Sequence, residues 1–355
     1  IMKTKFKIIV LLSMAVVASV SVVYLFKLSE EKMRFHNSFT RRFPPHMADQ
    51  LNSLELKYNS YYFAGAADGK IYLGNTTAPL LVTVLDSSLK VTETYKIGLK
   101  TLLPAMNRPQ IKVDPPYFYL YEGSIPYIYS GFIYDWKAKI MSNTGYLFSQ
   151  LQPIEDNKLA VRHSDPLTAE NIIGTIDLND TLNNKLEKKI LQKESDGIFE
   201  TDGILTGDGK KLVYVYYYRN KFVATDGNLT NIHEGKTIDT ISNPKLKLIR
   251  IKSKNATTFE KMPLLVNRLA AANEGWLFVN SQLMGQKEPE QMWKSSSIID
   301  IYEIETAAYL ASIYIDDIAD HKIKSIIVIG GNLYAMGEKQ ITRYKLRRFL
   351  AYPRR

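Results

Sequence analysis

The 355-residue sequence contains no cysteine. Within these residues, this absence excludes a disulfide framework, a catalytic thiolate, an iron–sulfur cluster, a cysteine-ligated zinc ion and a lipidated N-terminal cysteine. The sequence also lacks a Walker loop, GxGxxG, HExxH, GxSxG and an EF-hand loop. It therefore carries none of the short local patterns from which an enzymatic activity is usually recognised.

The composition is that of a folded protein, with 45% hydrophobic and 23% charged residues. These fractions exclude disordered and collagen-like classes. The length fits one large domain or two ordinary ones.

The formal net charge of +10 is concentrated at the two ends of the chain. Three of these charges are Lys3, Lys5 and Lys7. Six more lie near the C-terminus, at Arg343, Lys345, Arg347, Arg348, Arg354 and Arg355. Residues 8–342 retain a net charge of only +1. A basic groove through the body is not supported, and we expect no nucleic-acid partner.

Residues 8–26 form an uncharged apolar run of 19 residues, nearly long enough for a helix to cross a bilayer. We interpret the run as an uncleaved transmembrane signal anchor that follows a basic cytoplasmic end, residues 1–7. The lysines before it place the body on the extracytoplasmic side, which is the periplasm in a diderm bacterium. The alternative is a cleaved signal peptide with a small-residue site near Val16–Ala18.

Three further regions follow the predicted anchor. Residues 27–52 are polar and contain Pro44-Pro45, and we interpret them as a stalk whose histidines, His36 and His46, are solvated rather than metal ligands. Residues 53–347 form the folded body. Residues 348–355 are a basic tail, which together with Arg343, Lys345 and Arg347 has a composition suited to anionic headgroups beside the anchored end. A simple solubilising terminus is the other interpretation.

The body is predicted to be all-β, because short runs rich in Val, Ile, Tyr, Phe and Thr alternate with turn clusters such as five Asp-Gly pairs. A unit of an apolar strand, a turn, a second strand and a third strand that tends to end in an acid recurs six times. Its second strands open near residues 70, 116, 158, 211, 275 and 332. The spacings match or exceed those of a four-stranded propeller blade with insertions.

Six blades in a closed ring leave no long exposed sheet edge, and a strand over residues 54–58 would complete the last blade. On these repeats, the body resembles the six-bladed β-propellers of the broad NHL-like superfamily. The resemblance is architectural and carries over no functional residues. A seven-bladed ring and a pair of β-sandwiches remain alternatives, because the wide interval from 211 to 275 could contain further strands.

One candidate ligand site lies where two consecutive second strands end. Arg162 and His163 end one strand, and Tyr218, Arg219 and Asn220 follow the next. The arginines would place two cations at one end of the ring, where they could bind a carboxylate, a phosphate or an acidic peptide beside the tyrosines. Pairing of the arginines with turn aspartates, or exposure to solvent, is the simpler alternative.

A weaker candidate is a cation site at Asp196, Asp202 and Asp208, whose regular spacing could gather Ca²⁺ on adjacent turns. Each of these residues precedes a glycine, so hairpin-turn chemistry explains the same spacing. We therefore expect no metal and no cofactor.

The leading hypothesis is a membrane-anchored, non-enzymatic propeller that acts as a scaffold or binding module for a protein or peptide outside the cytoplasm. A propeller hydrolase or lyase with a dispersed central-channel site is the main alternative. A small-molecule or glycan sensor, with an aromatic-lined pocket near Arg162 and Arg219, is a third.

Overall fold

The computed structural model describes residues 2–35, 37–100, 106–155, 157–165, 167–168, 170–180, 184–193, 199–244, 246–251, 256–318 and 321–347. A long helix, α1 (Met2–Phe35), precedes a body made almost entirely of antiparallel strands. In this part of the chain, the strands form six sheets of four or five strands and one two-stranded hairpin. The expected six-bladed β-propeller after an N-terminal helix is confirmed.

The strands follow one another blade by blade, and in blades 1–5 each blade uses consecutive strands. The strand before the first blade is β1 (Ala48–Glu55). Blade 1 contains β2 (Tyr61–Ala67), β3 (Lys70–Asn75), β4 (Leu81–Asp86) and β5 (Val91–Lys96). Blade 2 contains β6 (Gly98–Leu99), β7 (Gln110–Asp114), β8 (Tyr117–Tyr121), β9 (Tyr127–Phe132) and β10 (Lys137–Asn143). Blade 3 contains β11 (Phe148–Glu155), β12 (Lys158–Ser164), β13 (Asn171–Asp177) and β14 (Lys185–Glu187).

The second half of the ring has the same plan with one insertion. Blade 4 contains β15 (Gly203–Gly207), β16 (Lys211–Tyr216), β17 (Lys221–Asp226) and β18 (His233–Lys236). The inserted hairpin consists of β19 (Leu248–Ile251) and β20 (Ala256–Phe259). Blade 5 contains β21 (Asn267–Asn273), β22 (Trp276–Ser281), the short helix α2 (Glu290–Ser295), β23 (Ser296–Glu303) and β24 (Tyr309–Asp316). Blade 6 contains β25 (Ser325–Ile329), β26 (Asn332–Met336) and β27 (Gln340–Leu346).

Strand β1 closes the ring by pairing with β27 as the outer strand of blade 6. The closing strand therefore spans residues 48–55, upstream of the expected 54–58. We call the innermost strand of each blade its first strand, and these are β2, β7, β11, β15, β21 and β25. Each first strand contacts the first strands of both neighbouring blades, so these strands form a complete circle. The interval from 211 to 275 contains the inserted hairpin instead of a seventh blade.

Six apolar clusters, one between each pair of neighbouring blades, hold the ring together. The second strands supply much of this core, because they are covered on both faces; Phe118, Tyr119 and Phe278 are fully buried. Polar side chains also join first strands. The Tyr62 hydroxyl accepts a hydrogen bond from Ile111 N at 2.7 Å, and Gln150 bonds both Gly203 O and Leu205 N.

The two ends of the ring differ in the connections that they carry. We call the upper face the end where each first strand begins, which holds the links between blades and the loops between second and third strands. The lower face holds the tight turns between first and second strands, such as Asp68-Gly69 and Gly330-Gly331. Gly69 and Gly331 have positive φ, which the tight turns require.

The segment Asn37–Met47, which we call the strap, packs against blade 5 rather than extending as a free stalk. Phe39 is buried, and its carbonyl accepts a hydrogen bond from Gln286 N on the upper face. The Phe43 ring stacks on Tyr314 with ring centroids 4.3 Å apart. The strap thus runs from the upper face down the outer side of blade 5 before it enters β1.

Candidate functional site

The strap is fastened to the upper face by the buried side chain of Arg41. Its Nε atom lies 2.7 Å from Asp300 Oδ1, and its Nη1 atom lies 2.8 Å from Glu288 Oε1. Nη2 also donates to Ser281 Oγ at 2.7 Å. Burial disfavours the guanidinium charge, but the two carboxylates more than offset this effect and hold the pKa of Arg41 above its usual value.

Asp239 lies close to this ion-pair cluster on the same face. Its carboxylate accepts hydrogen bonds from Thr237 Oγ1 at 2.6 Å and Ile241 N at 3.0 Å. Burial nevertheless raises the pKa of the Asp239 carboxyl to about 6, and the negative charge of Asp300 adds to the shift. The buried carboxylates here serve to hold the strap and the loop after β18.

Arg162 and His163 do not form a free anion site. Arg162 is half-buried between blades 3 and 4, where it donates to Ser149 Oγ and to Gly203 O, each at 2.8 Å. His163 is buried, with Nδ1 2.6 Å from Leu147 O. Both side chains therefore join loops and strands of the upper face.

Arg219 is also committed to the protein interior. It is 1% exposed, donates to Gln192 O and lies over the Tyr216 ring, 4.0 Å from its centroid. The expectation of two accessible cations at one end of the ring does not fit this arrangement, because burial between blades leaves the Arg219 guanidinium facing protein atoms. An aromatic pocket in which a ligand meets Arg162 and Arg219 is excluded by the same contacts.

Tyr218 and Asn220, in contrast, contribute to two adjoining clefts on the upper face. The first cleft, of about 430 Å³, is largely apolar. It is lined by Tyr218, Thr240, Ile241, Ser242, Asn243, Pro244, Leu246, Pro263 and Leu264. Burial raises the pKa of Tyr218 to about 12, so its hydroxyl remains protonated and able to donate a hydrogen bond at neutral pH.

The second cleft, of about 420 Å³, is charged. It is lined by Asn220, Lys221, Glu234, Gly235, Lys236, Ser242 and Asn243. Lys221 Nζ lies 2.9 Å from Glu234 Oε1. Ser242 and Asn243 are exposed and line both clefts, so they form a low ridge between an apolar half and a charged half. We call the two halves together the upper cleft.

The candidate cation site is not assembled. Asp202 precedes β15 and accepts a hydrogen bond from Asn171 Nδ2 at 2.8 Å. Asp208 follows β15, where it caps the turn by accepting from the Lys210 and Lys211 amides. At ~3.3 Å per residue, a whole strand separates the two carboxylates, so they cannot share one ion. Asp196 lies outside the described residues.

Elsewhere in the described part of the chain, no group of three or more histidine, aspartate or glutamate side chains is placed to hold a metal ion. The candidate membrane-surface residues Arg343 and Lys345 lie on β27, and Arg347 follows it. Leu346 N donates to Gly331 O, which places this end of β27 at the lower face, away from the start of the strap. Arg348, Arg354 and Arg355 lie outside the described residues.

The upper cleft and the Arg41 cluster are candidate functional features that the sequence analysis missed. The loop residues 240–246 and 263–264 carry no motif, although the proline at each side of the inserted hairpin, Pro244 and Pro263, marks an interruption of the repeat. Arg41 has partners more than two hundred residues away, so no local pattern indicates them.

Comparison with known proteins supports the fold. No protein-family model and no curated protein matches the sequence. Among solved structures, the chain is similar to a member of the DUF4221 family from Bacteroides vulgatus, with a TM-score of 0.50 and 13% identity over 84% of this chain and 97% of that one. At this identity the likeness shows the fold alone.

Two other solved structures are similar over much of their length. A chain of the nidogen/laminin complex has a TM-score of 0.45 and 11% identity, over 75% of this chain and 82% of that chain. BamB from Moraxella catarrhalis has a TM-score of 0.44 and 9% identity, over 84% of this chain and 100% of that chain.

Proposed function

We propose that this chain is a membrane-anchored, non-enzymatic β-propeller that binds a protein or peptide partner outside the cytoplasm through the upper cleft. The observation that carries the proposal is the form of that cleft. Two open halves, one apolar and one charged, adjoin across the exposed residues Ser242 and Asn243. An extended peptide crossing the ridge would meet Tyr218 and prolines on one side and Lys221, Glu234 and Lys236 on the other.

The anchoring part of the proposal is supported by α1. Its segment Phe6–Ser29 has 24 residues and a mean hydropathy of 2.6, and its apolar side chains are exposed rather than buried in the body. The lysines before the span and the folded body after it favour a cytoplasmic N-terminus and an extracytoplasmic propeller. Protease added to the outer side of intact cells or spheroplasts should digest the body and leave the α1 segment protected.

The hydrolase or lyase alternative requires convergent catalytic groups. In the described residues, the buried carboxylates are those of Glu122, Asp165, Glu200, Asp239, Glu288 and Asp300. Asp300 and Glu288 are ion-paired with Arg41, and Asp239 is bonded to its own loop. Glu122 accepts hydrogen bonds from Asn107 N and Ser124 Oγ, and Asp165 is ion-paired with Lys188. In the part of the chain that the structure describes, no three of these acids are placed to hold a metal ion together. The binding proposal therefore explains more of the upper face than a catalytic one.

A matched pair of tryptophan variants tests the binding role. Asn243→Trp fills the ridge of the cleft, whereas Asn228→Trp places the same side chain in an exposed turn of blade 4 on the lower face. Chemical crosslinking in native membranes should recover a partner with the wild-type chain and with Asn228→Trp, and severalfold less with Asn243→Trp. Equal recovery from all three chains would show that the partner binds elsewhere.

A further inference from the structure

The inserted hairpin lies beside the end of the apolar helix. Lys261, two residues after β20, places its Nζ atom 3.6 Å from the centroid of the Phe26 ring. Phe26 belongs to the last turn of the span Phe6–Ser29. At ~1.5 Å per residue, Phe26 is less than one helical turn from the end of the span, the depth at which headgroups begin. The hairpin is therefore at the level of the membrane surface if α1 spans the bilayer.

The segment that contains the hairpin is the most basic stretch of the body. Residues 245–262 contain Lys245, Lys247, Arg250, Lys252, Lys254 and Lys261, with Glu260 as the single acid. This net charge of +5 is half of the formal charge of the whole chain. The other residues between 8 and 342 therefore carry a net charge of −4. The near-neutral net charge of the body therefore conceals a basic stretch of sequence; of its cations, Lys247, Arg250 and Lys261 are among the described residues.

The hairpin also has two distinct faces. Phe259 packs inward, with its ring centroid 4.5 Å from that of Phe199 and 5.7 Å from that of Tyr218. In this hairpin Leu248 pairs with Phe259, and Ile249 pairs with Thr258. Successive side chains of a strand point to opposite faces, so Ile249 lies on the face away from Phe259, where it is 49% exposed. Met262 is 77% exposed at the base of the hairpin. By the same alternation, Lys247 shares the face of Ile249, whereas Arg250 lies on the face of Phe259 although its side chain is exposed. The hairpin thus presents exposed cations and exposed apolar side chains together.

We propose that the inserted hairpin and Lys261–Met262 form a docking surface for the anionic lipid headgroups of the membrane that holds α1. The chemistry is complementary, because lysine and arginine attract anionic headgroups while Ile249 and Met262 can enter the boundary with the acyl chains. This proposal rests on the anchoring part of the proposed function. Its consequence is that the ring is held with its upper face towards the bilayer, so the upper cleft opens close to the lipid surface.

The absence of cysteine allows single fluorescent probes to test this arrangement in the full-length chain. Met262→Cys and Tyr134→Cys would carry the same environment-sensitive dye; both native residues are 77% exposed, and Tyr134 lies in a lower-face turn of blade 2. Each labelled chain is placed in nanodiscs of phosphatidylcholine with or without phosphatidylglycerol. Lipid with a spin label near the headgroup serves as the quencher. A probe at Val17→Cys reports separately whether α1 enters the bilayer.

The proposal predicts a severalfold larger quenching at position 262 than at position 134, and larger quenching at 262 with phosphatidylglycerol than without it. Lys247→Glu with Arg250→Glu should reduce the quenching at 262, whereas the lower-face pair Lys70→Glu with Lys90→Glu should not. Equal quenching at 262 and 134, or quenching at 262 that ignores lipid charge, would overturn the proposal. A Val17 probe whose emission shows an apolar bilayer environment, together with an unquenched 262 probe, would retain the anchor and reject the docking surface.

Discussion

The Arg41 guanidinium and the Asp300 carboxylate form a buried, two-pronged ion pair, with Nε 2.7 Å from Oδ1 and Nη2 3.1 Å from Oδ2. The pair joins the strap, which continues from the apolar helix, to the third strand of blade 5. Ser312 on the neighbouring strand also donates to Asp300. The strap is therefore fastened to the ring by a buried contact.

Removal of the Arg41 charge should destabilise the ring strongly, because Asp300 and Glu288 would remain buried without their cation. Arg41→Met is expected to lower the free energy of unfolding by ~3–5 kcal/mol. The neighbouring Arg42→Met removes an exposed cation and should cost less than ~1 kcal/mol. Urea denaturation followed by tyrosine and tryptophan fluorescence measures both. Similar losses for the two variants would contradict a structural role for the Arg41 cluster.

Ring closure by β1 predicts where the body can be shortened. A fragment that begins at residue 37 retains the strap and β1, so it should be a soluble monomer. A fragment that begins at residue 57 leaves the outer edge of β27 unpaired and should aggregate or unfold, because exposed strand edges recruit other chains. Light scattering after gel filtration distinguishes the two outcomes. A monomeric 57–355 fragment with an unchanged melting temperature would refute closure by β1.

The first strands of blades 1 and 2 approach closely at Gly65, so we predict that this position does not tolerate a larger residue. A Cβ atom at Gly65, on β2, would lie 2.0 Å from Val113 O on β7, whereas a Cβ at Gly98 meets its nearest neighbour at 3.7 Å. Gly65→Ala should therefore cost at least ~1–3 kcal/mol, and Gly98→Ala should be nearly neutral. Thermal melts of the two variants measure the difference. Equal melting temperatures would contradict the tight inner seam between blades 1 and 2.

The buried Asp239 carboxyl predicts a pH dependence of stability. Its pKa of about 6 exceeds the unfolded value of 3.8, so between these values the unfolded chain releases a proton that the folded chain retains. Stability from this group is present below about pH 4 and falls by about 2–3 kcal/mol as the pH rises to about 6. Asp239→Asn should lack this fall in urea titrations at several pH values. Parallel profiles for variant and wild type would disprove the assignment.

The fold was largely predictable because each second strand is covered on both faces and reads as an apolar run bounded by turn residues. The expected starts near 70, 158, 211 and 332 coincide with the first residues of β3, β12, β16 and β26. The wide interval was ambiguous because a hairpin insertion and an extra blade have similar local sequences. The two cases differ in strand pairing: among the described residues, the inserted strands β19 and β20 pair only with each other, whereas a blade is a sheet of four or five strands.

The site was much less predictable. Arginine at a strand end indicates a position on the upper face, but it does not indicate whether a neighbouring blade will cover the side chain. Arg219 is buried by contacts with Tyr216 and with Gln192 of the segment after blade 3, whereas the neighbouring Tyr218 lines a cleft. The net charge of the whole body also did not indicate the basic segment 245–262, because acidic residues elsewhere in the body offset its positive charge.

Site-specific photocrosslinking tests the central claim, partner binding at the upper cleft, most directly. A photoreactive phenylalanine analogue at Asn243 reports on the ridge between the two halves of the cleft, and the same group at Asn228 reports on the lower face. In native membranes, irradiation should give a discrete adduct from position 243 that disappears when Lys221→Glu and Lys236→Glu are added, and none from position 228. Adducts from both positions alike, or from neither, would contradict the account.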